Sequence, residues 1–266
     1  MPVYRRPSRL TLEPMQITPV ILAGGGGARL WPASRPDRPK PLLKLLGPRS
    51  LLQETAARFA GDARFSAPML SVGQAFAAAC RSDLTEIGAR PALTVSEPEG
   101  RNTAAAIAAA AVAAEEGALL LMAPADHAIG DPASFGDAVA RAAATVGNGL
   151  AVFGVTPDRP ETGYGYILPA AAAAAAGQAL RPIDRFTEKP NAAAAEKLIA
   201  AGALWNAGLF LGRRESFLAA FAALAPHLLA AVTAALPTGA TTDAGVLCLT
   251  AAFCDARSGP FDKATL

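Results

Sequence analysis

The sequence predicts an α/β fold: a mostly parallel (mixed) central sheet with helices on both faces. Three observations predict it. Short apolar runs, ITPVILA at 17–23 and ALLLMA at 118–123, read as strands buried on both sides, as parallel strands are. Helical stretches with their own start and stop signals lie between such runs. Both apolar runs end in text suited to a ligand: glycines after the first, and Pro124-Ala125-Asp126-His127 after the second.

Taken in order, residues 1–16 read as an N-terminal tail, and residues 17–266 as one domain whose two halves meet near residue 150. After the first strand, Ser50 to Phe59 reads as a helix with Ser50 as N-cap. Pro68 to Val72 and Ala92 to Val95 are strands. Thr103 to Glu116 is a helix that Asn102 or Thr103 can cap and Gly117 ends. Ala118 to Ala123 is a strand, Phe135 to Thr145 a helix, and Leu150 to Val155 a strand. In the back half, Tyr164 to Leu168 and Leu180 to Thr187 are strands around a low-complexity loop, Ala170 to Gly177. Asn191 caps a helix running to about Ala201, Trp205 to Leu211 is a strand, and Ser216 to Leu224 and Pro226 to Leu236 are helices. There is no internal repeat.

Composition narrows the function. The 266 residues are 52% hydrophobic, enough to bury a sizeable core. The formal net charge of +2 argues against nucleic acid as a partner. The basic residues are nonetheless uneven: Arg29, Arg35, Arg38, Lys40, Lys44 and Arg49 crowd one stretch with no aromatic ladder between them. That pattern suits a compact polyanion such as a triphosphate. Three cysteines without C-x-x-C spacing predict no disulfide framework and a reducing, cytoplasmic setting. Arg5, Arg6 and Arg9 precede no apolar signal region, and the longest apolar run is too short to span a bilayer, so no membrane partner is expected.

The chemistry-bearing strings begin with Leu22-Ala23-Gly24-Gly25-Gly26-Gly27-Ala28-Arg29, followed by Leu30-Trp31-Pro32-Ala33-Ser34-Arg35 and by Pro39-Lys40. A strand that runs into glycines lets backbone N–H groups surround an anion. Neither the G-x-G-x-x-G nor the P-loop pattern fits, since no third glycine and no Gly-Lys-Ser/Thr stand where they should. What remains is a glycine loop delivering Arg29, with Lys40 eleven positions later, two cations suited to phosphates. A plain tight turn would rarely use four glycines, because they cost backbone entropy on folding.

The second string, Glu97-Pro98-Glu99-Gly100-Arg101-Asn102-Thr103, heads the Ala-rich helix, where free N–H groups and the positive end of the dipole lie. Simple capping is its plainer reading. The third, Pro124 to His127, puts Asp126 beyond the carboxyl end of a buried strand, where a carboxylate can hold Mg²⁺ or cap the next segment. Only His127 and His227 are present, so a histidine metal site is not expected and His127 reads as a supporting hydrogen-bonder. In the back half, Glu161-Thr162-Gly163-Tyr164-Gly165-Tyr166, Phe186-Thr187-Glu188-Lys189-Pro190 and Leu204-Trp205-Asn206-Ala207-Gly208 follow in that order. Each alone is weak and could be turn chemistry.

Together these strings resemble the mannose-1-phosphate guanylyltransferases, members of the sugar-phosphate nucleotidyltransferase family, over residues 17–262. The resemblance implies a Rossmann-like nucleotidyltransferase fold. It implies transfer of GMP from GTP to mannose-1-phosphate, with GDP-mannose and pyrophosphate as products and Mg²⁺ as cofactor. Leu22, Ala23, Gly24, Gly25, Gly26, Gly27, Arg29, Lys40, Glu97, Arg101, Asn102 and Thr103 would then hold the nucleotide. Glu161, Gly163, Tyr164, Glu188, Lys189 and Asn206 would hold the sugar phosphate, and Asp126 and Asp262 the metal. Arg29, Lys40, Asp126 and Lys189 are the expected catalytic group. The sequence departs from the family pattern at Pro41-Leu42, Ala105 and Ala207, and the domain reading expects the usual C-terminal extension to be absent. No nucleophile elbow or His-paired cysteine is present, so an in-line displacement without a covalent intermediate is expected. Two alternatives stay open: another sugar-1-phosphate nucleotidyltransferase, and a non-catalytic GDP-mannose-binding regulatory protein. A homodimer is allowed for.

Overall fold

Strand β1 (Ile17–Leu22) lies between β4 (Leu119–Pro124) and β2 (Met69–Gly73), parallel to both, with Val20 opposite Met69 on one side and Met122 on the other. Strand β3 (Leu93–Glu97) continues the parallel run beyond β2, and β9 (Val246–Cys248) adds to its far edge. On the other side the sheet turns antiparallel: β8 (Leu204–Arg213) pairs with β4, and with both β5 (Leu150–Val155) and β6 (Gly165–Pro169). Strand β7 (Ile183–Glu188) closes that edge against β6. The order is β7-β6-β8-β4-β1-β2-β3-β9, with β5 also on β8. This computed structural model describes residues 16–25, 27, 30–35, 37–170, 180–237, 245–256, 259 and 261. The sequence assignments for Gly26, Arg29 and Asp262, and for the low-complexity loop beyond Ala170, lie outside them.

Alternation along the central strands sorts the core into two layers. Val20, Leu120, Met122 and Phe210 face α3 (Asn102–Ala113), α6 (Arg214–Leu224) and α7 (Pro226–Ala234). Ile17, Ile21, Leu119 and Leu121 face α1 (Leu51–Ala57), α2 (Ala77–Glu86) and α4 (Pro132–Thr145). Helices on both faces of a mostly parallel sheet are the predicted architecture. In α3 every residue from Ala104 to Ala111 is buried. The helix runs between the sheet and α6 and α7, and alanines let it approach both closely. A small third cluster, Tyr166, Ala195, Ala203 and Trp205, seats α5 (Ala192–Ala200) on β6 and β8.

Most expected elements stand within a few residues of their predicted bounds. Ser50 caps α1 in a full capping box with Gln53, and Asn191 caps α5 through Ala194 N–H. Three features differ. Helix α2 and strand β9 were not expected. The first carries no side-chain cap, and the second is a three-residue edge strand, so neither announces itself locally. The third is the head of α3, where Arg101 is the N-cap residue and no side-chain cap bond forms. The Thr103 hydroxyl instead accepts the N–H of Phe261 at 3.1 Å, and Ala104 N–H donates to Gly259 O at 3.2 Å. The helix start is satisfied from the far end of the sequence, which local spacing cannot reveal.

Candidate functional site

Strand order places the site. From β1 the chain builds outward through β2 and β3, then crosses back to lay β4 on the opposite side of β1. The carboxyl ends of β1 and β4 therefore splay their loops apart at a topological switch point, where open α/β sheets bind ligands. A cavity of about 360 Å³ opens there, lined by Leu22, Gly24, Gly25, Lys40, Pro41, Glu97, Gly100, Arg101, Asn102, Thr103, Ala106, Pro124, Ala125 and Asp126. Four separate strings of the sequence meet in it.

The glycine loop approaches Lys40 as closely as backbone permits. Gly27 has φ +72°, and a Cβ there would lie 2.5 Å from Lys40 Cβ. Only glycine accommodates both the left-handed conformation and the contact. The Ser34 hydroxyl donates to the Gly27 carbonyl and holds the turn. Lys40 opens a short 3₁₀ turn, Lys40–Leu42, and its ammonium forms an ion pair with Asp126 Oδ2 across the cavity. Both side chains are about one-third exposed, at 32% and 33%, so the pair is open to an incoming ligand.

On the other wall, Glu97 ends β3 with its side chain buried, 2% exposed. Its Oε1 accepts the Ser71 hydroxyl at 2.6 Å. Burial raises its carboxyl above the usual carboxylate range, and the Ser71 bond opposes that only in part. Arg101 pairs with Glu99 at 2.8 Å, while its buried Nε has no hydrogen-bond partner among the described residues. Asn102 has φ +63°, a conformation rare outside glycine that recurs at ligand clamps.

Behind Asp126, the His127 imidazole is held below the usual histidine range, mainly by burial and against the pull of the Asp126 charge. It is therefore neutral near pH 7 and adds no cation to the site. The described residues contain no group of three or more His, Cys, Asp or Glu arranged to hold a metal by themselves. Asp126 fits a metal of the Mg²⁺ kind, which takes one or two protein carboxylates and completes its shell with phosphate oxygens and water.

The sugar-side candidates gather around β6, β7 and β8 and do not line this cavity. Gly163 N–H donates to Glu161 Oε1 at 2.9 Å, and Tyr166 OH donates to Glu161 O at 2.9 Å. Tyr164 packs edge-on against Trp205 at 5.2 Å between ring centroids, and Arg159 lies over the same indole at 5.2 Å. Lys189, φ +46°, donates its backbone N–H to Tyr164 O, and its exposed ammonium pairs with Glu188 at 2.9 Å. Asn206 Oδ1 accepts Gly208 N–H at 2.9 Å, where β8 turns close to Pro124 beside the first cavity. Nine of the expected nucleotide and metal residues thus share one cavity: Leu22, Gly24, Gly25, Lys40, Glu97, Arg101, Asn102, Thr103 and Asp126. Ala23 is buried behind the loop, with its N–H on Ser71 O. Sequence reading passed over Ser71, Arg159 and Trp205. Only the presence of Trp205 inside a quoted string hinted at any of them.

The family model for nucleotidyl transferases matches residues 18–243, which span the glycine loop, both cavity walls and the β6–β8 cluster. The chain belongs to the nucleotidyl transferase family. It is 42% identical over 207 residues to the xanthan biosynthesis protein XanB of Xanthomonas campestris pv. campestris, covering 76% of this chain and 43% of that protein. It is 37% identical over 225 residues to a mannose-1-phosphate guanylyltransferase of Klebsiella pneumoniae, covering 83% and 48%. The chain spans about half the length of these curated relatives. Among solved structures it resembles a protein of Thermus thermophilus titled mannose-1-phosphate geranyltransferase. The TM-score is 0.77 at 30% identity, over 94% of this chain and 71% of that one. A Helicobacter pylori protein titled mannose-6-phosphate isomerase shares the fold, with a TM-score of 0.78 at 24% identity over 94% and 93% of the two chains.

Proposed function

We propose that this nucleotidyl transferase is a mannose-1-phosphate guanylyltransferase, which joins GTP and mannose-1-phosphate into GDP-mannose and releases pyrophosphate. The observation that carries the reading is the convergence of the glycine loop, the Lys40–Asp126 pair, Glu97 and the head of α3 on one cavity at the switch point. Relatives that bear this name cover most of the chain.

In the proposed reaction a phosphate oxygen of mannose-1-phosphate attacks the α-phosphorus of GTP in line. The bond from the α-phosphorus to the β-bridging oxygen breaks, and its electron pair leaves with pyrophosphate. Catalysis is then positioning plus charge stabilisation. Lys40 would exchange Asp126 for the triphosphate, and Arg29 would add a second cation. Freed of Lys40, Asp126 would hold Mg²⁺, with Asp262 as the second carboxylate. That ion would neutralise the phosphate charge that builds up between the reactants. An ionised Glu97 offers only acceptors, which suits the N–H groups on guanine's pairing edge and not the acceptor N1 of adenine. Glu161, Gly163, Tyr164, Glu188, Lys189 and Asn206 would hold the sugar phosphate. The reading carries a cytoplasmic location with it, where nucleoside triphosphates are supplied.

The test is a pyrophosphate-release panel with Mg²⁺ that crosses GTP, ATP, UTP, CTP and dTTP with mannose- and glucose-1-phosphate. Fastest release is expected from GTP with mannose-1-phosphate. Preference for another pair would reassign the substrates. GDP-mannose binding without any release would favour a regulatory protein.

A further inference from the structure

The loop that carries Asp126 is held on both sides by one face of α1. Thr55, fully buried, donates its hydroxyl to Ala125 O at 3.2 Å. Arg58, at the C-cap of the same helix, donates Nη2 to His127 O at 2.7 Å. Residues three apart share a helix face, so the two donors point the same way. The single residue between the two carbonyls they grip is Asp126. Arg58 is itself confined: its guanidinium lies over the Phe135 ring at 5.7 Å, and burial weakens its hold on the proton.

The same helix also locates the other half of the ion pair. Leu51 N–H donates to Leu43 O at 3.0 Å, which ties the end of the Lys40 turn to the start of α1. The helix start is fixed in turn, because the Ser50 hydroxyl donates to Asp83 at 2.5 Å and Gln53 donates to Asp83 O at 2.8 Å. Helix α1 is thus a common strut for Lys40 and Asp126, although it contributes no lining to the cavity.

We propose that Thr55 and Arg58 are positioning residues that set the carboxylate of Asp126 for the reaction. This rests on the functional reading above. Thr55→Val removes the hydroxyl at nearly constant shape, and Arg58→Met keeps the apolar stem over Phe135 without the donor. Groups that orient a metal-binding or reacting side chain through one intervening bond commonly control activity about 10- to 100-fold. The double variant should lose kcat by about that factor while KM for the nucleotide changes less than about 3-fold, because the cavity walls stay in place. Backbone amide exchange at residues 126–129 should quicken, with exchange in β1 and β4 unchanged. Thr55→Ser, which restores a donor, should recover most of the activity lost in Thr55→Val.

Unchanged kcat in a folded double variant, or unchanged exchange in the Asp126 loop, would overturn the proposal. So would failure of Thr55→Ser to recover activity. If the unaltered chain releases no pyrophosphate from any substrate pair, the functional reading falls instead, and the exchange comparison alone decides whether α1 holds the loop.

Discussion

The Lys40 ammonium and the Asp126 carboxylate, 86 positions apart in sequence, pair across the mouth of the switch-point cavity. Each neutralises the other, so neither charge is left bare beside the glycine loop. Asp126→Asn keeps the shape and removes the charge. An ion pair this exposed contributes only about 0–1 kcal/mol to stability, so the melting temperature should hardly move. On the proposed function, pyrophosphate release should fall by at least about 100-fold, the scale for losing one aligned charged group from a site that acts by electrostatic stabilisation. Near-normal turnover in that variant would remove Asp126 from the mechanism.

Gly27→Ala should disable the site while every charged residue is kept. The new methyl would meet Lys40 Cβ at 2.5 Å from a backbone at φ +72°. Lys40 or the loop must then shift, and a displacement near 1 Å can cost about 100-fold in rate. Titration with GTP should show weaker binding, and thermal unfolding a loss of about 1 kcal/mol or more from the strained conformation. Binding equal to that of the unaltered chain would show that the close approach has no role.

Glu97→Gln separates stability from selectivity. The folded state raises the Glu97 carboxyl by burial, so between the ordinary value near 4.5 and the raised one the folded chain binds more protons than the unfolded chain. Stability contributed through this group therefore falls as pH rises through that window. The amide variant, which still accepts the Ser71 hydroxyl, should gain stability relative to the unaltered chain as pH rises above 4.5. Denaturant unfolding at several pH values measures the difference. The same change gives the wall a donor, and the proposed preference for GTP over ATP should drop by about 10-fold or more, as when a paired polar group is mismatched. An unaltered base preference would remove Glu97 from guanine recognition.

Phe261→Ala should act at a distance. Phe261 is 1% exposed and packs against Phe210, Phe217 and Phe221, with ring centroids 4.7–5.8 Å away. Losing such a side chain costs about 3–5 kcal/mol. Its N–H bond to Thr103 also steadies the head of α3, which lines the cavity. Unfolding should show the loss in stability, and nucleotide affinity should fall with it. Affinity that stays intact in the folded variant would confine Phe261 to the core.

Much of this was legible along the chain. The parallel strands announced themselves as apolar runs, and Ser50 and Asn191 marked their helices because capping is chemistry within four residues. The strings around Gly24, Glu97 and Asp126 meet at one cavity, since strand ends in an α/β sheet converge by topology. Helix α2 escaped because only Cys80 and Leu84 are buried in it and no cap precedes it. Thr55 and Arg58 escaped because their partners are backbone carbonyls about 70 positions away, which carry no residue-specific signal.

The class of fold, the order of most elements and the strings that meet at the switch point are written along the chain. Each depends on interactions between near neighbours: periodic burial, capping and glycine-permitted turns. Packing sets the rest: Lys40 closes on Asp126, Gly259 and Phe261 complete the head of α3, and one face of α1 grips the Asp126 loop. Those are contacts between distant segments, and they depend on how the sheet and its helices pack.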